Sequence, residues 1–178
     1  MTVTSRRATA GALAAYSGVV IALTLLKAFF RIGYLWDPAN QMRRGVSLVP
    51  FSDLVEAKSW FGPLFGYGGN VAFFIPVGVL AFILFERQHR PVLTATLFGA
   101  GFSLLIEVSQ YVFGLGYSDI DDFLMNTLGA FIGAKIAQWC GPRLHKVWIG
   151  LAYGVVFLFI SLVLAGESFG DSEKIKQV

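Results

Sequence analysis

Long apolar runs broken by short polar turns dominate this chain. Five runs stand out, at about Thr9 to Phe30, Tyr67 to Phe85, Val92 to Phe113, Asp119 to Trp139 and Val147 to Ala165. A bilayer core takes about 20 consecutive apolar residues as helix, and each run is close to that length. The pattern predicts an all-α fold: a polytopic transmembrane helical bundle of about five helices, forming one membrane domain over 1–178. The first run is too long for a signal-peptide core and is not followed by a clear cleavage site, so it is read as a retained helix. Lys27 near its end can snorkel to the interface. Pro76 and Gly78 interrupt the second run, and proline inside a helix removes a hydrogen bond and usually bends it. Residues 167–178 form a polar tail.

The long connection from Arg31 to Gly66 mixes apolar and polar residues. Ser52 or Asp53 is placed to cap a short helix, with Glu56 three positions after Asp53 as in a capping box. Leu54, Val55, Trp60 and Phe61 suit a headgroup layer; an irregular loop with an aromatic anchor is the equally weighted alternative.

Composition agrees with the pattern. The chain is 56% hydrophobic and 14% charged, with mean hydropathy +0.66, more apolar surface than a soluble domain of this size can hide. Cys140 is the sole cysteine, which excludes an intramolecular disulfide and a thiolate metal site. The net charge of +3 is modest, and no segment is basic enough for a nucleic-acid partner. Charge position matters more. Arg6, Arg7, Arg87, Arg90, Lys135, Arg143 and Lys146 all fall at one end of an alternating bundle, which the positive-inside rule makes cytoplasmic. The expected topology is N-terminus inside and C-terminus outside, with the first loop and the 114–118 turn outside.

Against this background, the acids and amides between 103 and 129 are out of place. Ser103, Glu107 and Gln110 share one helical face, as do Asp119, Asp122 and Asn126; Asp121 is expected to point away, to solvent. Glu107 lies roughly 9 Å below the outer end of its helix at 1.5 Å per residue. Asn126 is about as deep, and Asn70 falls in the first turn of the preceding run. Polar groups from three helices are thus expected to share one layer in the outer leaflet. Gly129 and Gly133 permit close helix contact.

A charge in hydrocarbon costs at least roughly 2.5–3.5 kcal/mol at the centre and less near the interface. Glu107 is therefore the most informative residue. A hydrogen-bonded lock between helices is one reading of the cluster. For Asp119, helix capping is another. A ligand-binding cleft formed by Asn70, Glu107, Gln110, Asp119, Asp122 and Asn126 is the favoured one. His89 and His145 lie at the other end. Carboxylates and amides alone would suit Mg²⁺ or Ca²⁺ rather than zinc, but no metal and no cofactor are expected.

GGNVAFFIPVG at 68–78, IEVSQ at 106–110 and DIDDFLMNTLGAFIG at 119–133 resemble the VanZ-like membrane proteins, in the right order over roughly residues 45–140. The resemblance implies functional positions at Asn70, Pro76, Gly78, Glu107, Gln110, Asp119, Asp122, Asn126 and Gly129. Two departures stand out. Ser47-Leu48-Val49-Pro50-Phe51 replaces an element that begins with Asn in the family. Leu115-Gly116-Tyr117-Ser118 lacks the arginine found before the first aspartate, a role that Arg31, Arg43 or Arg44 would have to fill. The family is named for a protein linked to low-level resistance to teicoplanin, a lipid-tailed glycopeptide. The resemblance implies a bacterial cell membrane and, as partner, a membrane lipid or cell-envelope amphiphile. An enzyme acting on a lipid-linked substrate, with Glu107 and Asp122 as catalytic candidates, and an ion-coupled carrier are the rival expectations.

Overall fold

The computed structural model describes residues 3–25, 45–56 and 60–165. Within them the chain runs α1 (Val3–Thr24), β1 (Gly45–Ser47), α2 (Ser52–Glu56), α3 (Phe61–Phe85), α4 (Pro91–Phe113), β2 (Tyr117–Asp119), α5 (Ile120–Cys140) and, after a 3-10 turn at Pro142–Leu144, α6 (His145–Ala165). The five long helices are the five apolar runs, and the fold is an all-α bundle. Lys27, the far end of the first run, Arg31, Arg43, Arg44, Lys58 and the 167–178 tail lie outside the described residues.

The ends follow local chemistry. Pro91 opens α4 at a position where a missing N–H is harmless. Gly114 closes it in the left-handed conformation (φ 65°), with its N–H returned to the Gln110 carbonyl. α3 starts six residues before the expected Tyr67, because Pro63 sits in the first turn, whose N–H groups have no helical partner anyway. The helix also continues unbroken through Pro76.

Four segments are long and apolar enough to cross a membrane: Arg6–Thr24, Phe61–Phe85, Pro91–Phe113 and Pro142–Ala165. α5 is less apolar because it carries Asp121, Asp122 and Lys135 and is rich in glycine and alanine. It lies innermost instead. Gly129 abuts the Val71 carbonyl, Gly133 the Ile75 carbonyl, and Gly78 the backbone of Ala130. The rising numbers on both sides make α3 and α5 parallel, while Gly99 against Ala130 and Ser103 against Asn126 make α4 antiparallel to α5. The core is built from Phe74, Val77, Leu80 and Ile83 of α3, the alanines of α5 and Ala12, Leu13 and Val20 of α1. Leu104, Leu105, Phe157 and Leu164 face outward, a surface suited to lipid.

One feature lies outside the all-α expectation. β1 and β2 pair in parallel, with Gly45 opposite Tyr117 and Ser47 opposite Asp119. This two-stranded clasp ties the long first loop to the α4–α5 turn, so both lie at the same end of the bundle. The short helix anticipated after Ser52 is present as α2. At the opposite end, His145 Nδ1 stands 4.0 Å from Glu86 Oε2. Tyr153 of α6 bonds the Ala8 carbonyl and Tyr16 bonds the Phe73 carbonyl, which puts the start of α1 at that end too. Every lysine and arginine among the described residues therefore lies there.

Candidate functional site

The clasped end gathers the polar residues of three helices. Ser103, Glu107 and Gln110 of α4 are all buried, as their common face requires. Asn126 donates its amide to Ser103 Oγ at 3.0 Å. Asn70 of α3 donates its amide to Asp122 Oδ1. Glu107 Oε2 accepts from the Ser118 hydroxyl at 3.1 Å and from the Asp119 N–H at 2.9 Å. Asp119 caps α5 by accepting from the Asp121 N–H at 2.9 Å. Asn70, Asp119 and Asp122 are half-buried, whereas Glu107, Gln110 and Asn126 are buried. All six sequence-derived positions are thus brought to one end.

Asp121 corrects the sequence expectation. It does not point to solvent but is 1% exposed. Both of its carboxylate oxygens lie 2.9 Å from the Phe51 N–H, and Oδ2 accepts from the Tyr67 hydroxyl at 2.7 Å. The reason is the first loop, which folds over the second face of α5 and covers it. Phe51 is held there at φ 61°, a conformation unfavourable for a side-chain-bearing residue. The charge-assisted bonds from Asp121 and edge-on contact with Tyr67, ring centroids 6.1 Å apart, offset that strain. The Pro50-Phe51 step is thus the docking point of the loop. Tyr67 and Ser118 belong to this network although the sequence did not single them out. Ser118 takes up Glu107 in the stretch where the family's arginine is missing.

The carboxylates of Asp119 and Asp122 stand near that of Glu107; the lysines and arginines among the described residues lie at the other end. Among the described residues, no three of His, Cys, Asp and Glu are placed to hold a metal ion. Gln110 is 5% exposed and its Oε1 has no hydrogen-bond partner among the described residues, although a buried carbonyl left unbonded costs about 1–3 kcal/mol. Its amide packs against Gly116.

The VanZ/LLP1 family model matches residues 13–141. The chain belongs to the VanZ family. The match takes in most of α1 as well as α3 to α5, more than the 45–140 stretch that carries the motifs, and it contains every residue of the cluster; α6 lies beyond it. Protein VanZ of Enterococcus faecium is 32% identical over 156 residues, spanning 86% of this chain and 89% of that protein. No solved structure matches. Family membership and four apolar helices of spanning length make this VanZ-family chain a membrane protein.

Proposed function

We propose that this chain is a teicoplanin-resistance-associated protein of the bacterial cell membrane whose clasped end receives the polar part of a cell-envelope amphiphile. The observation that carries the reading is the buried Gln110 carbonyl, left unbonded beside the polar side chains of the cluster. Buried polar groups are nearly always paired, so an orphan acceptor within a polar cluster calls for a donor. The fitting group is one that donates a hydrogen bond to this carbonyl, such as a hydroxyl, amide or ammonium of a sugar or amino headgroup. Phe51, Val55, Trp60, Phe61 and Phe65 are exposed at the same end and supply apolar contact for a tail. The cationic opposite end is cytoplasmic by the positive-inside rule, which turns the cluster outward, where a lipid-tailed glycopeptide or a cell-wall precursor meets the cell.

The test is teicoplanin susceptibility of a knockout strain carrying the gene with Glu107→Gln, Asp122→Asn or the lipid-facing control Leu105→Ala, at matched membrane abundance. The two acid variants should lose protection while Leu105→Ala retains it. Full protection from all three would reduce the acids to helix glue and remove the proposal.

A further inference from the structure

The opposite end of the bundle carries a recess. Two cavities open where the start of α4 meets the end of α5. One, of about 530 Å³, is lined by Phe131, Ile132, Lys135, Ile136, Gln138 and Trp139. The other, of about 450 Å³, takes in residues 89–93, Thr96 and again Phe131 and Gln138. Sharing two residues, they are neighbouring lobes of one groove. Its walls are apolar and its polar groups are cationic or neutral. Arg90 and Lys135 are exposed and no carboxylate pairs with either among the described residues; Lys135 reaches only the Gln138 amide, at 3.1 Å. Glu86, the acid at this end, stands by His145 on another face. The first turn of α4 opens into the same place with no side-chain cap, adding the positive end of a helix dipole.

We infer that this groove is a binding site for an anionic phospholipid, its phosphate held between Arg90 and Lys135 and an acyl chain lying along Phe131 and Leu93. Charge complementarity selects the occupant: two cations with no carboxylate partner among the described residues, on an apolar trough at a helix-end level, match a headgroup that carries both a phosphate and hydrocarbon. Lys135 gives the sharper argument. Topogenic charges belong in the turns, but this one sits inside α5, five residues before its end, over the trough itself. Trp139 beside it is 90% exposed, as befits an aromatic anchor at the headgroup level. This site is separate from the clasped end.

The purified full-length protein is placed in nanodiscs of equal parts phosphatidylglycerol and phosphatidylcholine, and the lipid retained on extraction is counted by native mass spectrometry. Wild type should retain phosphatidylglycerol preferentially. Arg90→Gln/Lys135→Gln should lower that retention by about tenfold or more, while Arg143→Gln/Lys146→Gln, which removes equal charge from the same end, should retain it. On wild type alone, a photoactivatable phosphatidylglycerol should cross-link to residues 90–96 and 131–139. Equal retention by the Arg90/Lys135 variant, equal loss in the control pair, cross-links elsewhere, or displacement of the lipid by millimolar inorganic phosphate would each overturn the assignment.

Discussion

Asp121 holds the first loop down, accepting from the Phe51 N–H and the Tyr67 hydroxyl. The i, i+3, i+7 pattern placed Asp119, Asp122 and Asn126 on one face of α5, and their partners in α3, α4 and the α4–α5 turn are those a helical wheel requires. The same wheel sent Asp121 to solvent, because it describes a helix against the bundle and not against a loop that folds back over it. Asp121→Ala would remove the carboxylate that accepts from the Phe51 N–H and the Tyr67 hydroxyl. Hydrogen bonds to a charged group are worth roughly 1.5–3 kcal/mol each, so the variant should unfold several degrees lower in detergent and expose the 45–56 loop to protease. Tyr67→Phe, which removes one donor and leaves Asp121 its backbone partner, should show a smaller effect in the same assays. The orphan carbonyl of Gln110 was beyond sequence reasoning, since a lost partner is visible only once the neighbours have positions.

Among the elements, the helices were read correctly in number and their ends only in part. α3 absorbs Phe61 to Gly66, which reads as loop because glycine and proline punctuate it. Gly129 and Gly133 do what their spacing suggested and seat α5 directly on the α3 backbone. A side chain at Gly133 would strike the Ile75 carbonyl, and backbone has nowhere to move without separating the helices. Gly133→Leu should destabilise by roughly 1–3 kcal/mol or more, read as loss of trypsin-resistant protein in membranes. Gly101→Ala, at a helical glycine with open space around it, should be neutral or slightly stabilising, since alanine suits a helix better. The clasp escaped notice because a three-residue strand in a loop carries no period to detect.

At the scale of the whole bundle, the lysines and arginines among the described residues lie at the far turns, away from the clasp and its acids. That sorting was legible because alternating helices force alternate turns together. It gives a labelling prediction. In a Cys140→Ser background, a cysteine at Val55, which is 83% exposed, should react with an impermeant maleimide on intact cells, whereas a cysteine at Gln88 in the α3–α4 turn should react only after permeabilisation. The reverse pattern would invert the topology. The clasp itself has a bearing on how the chain is made. β1 precedes α3, and its partner follows α4, so a growing polypeptide offers the first loop nothing to pair with until both helices have left the insertion machinery. Asp121, which fastens Phe51, emerges later still. The loop therefore stays open to surveillance proteases throughout synthesis of the middle of the protein, and its closure marks a product whose α3, α4 and the start of α5 have all arrived.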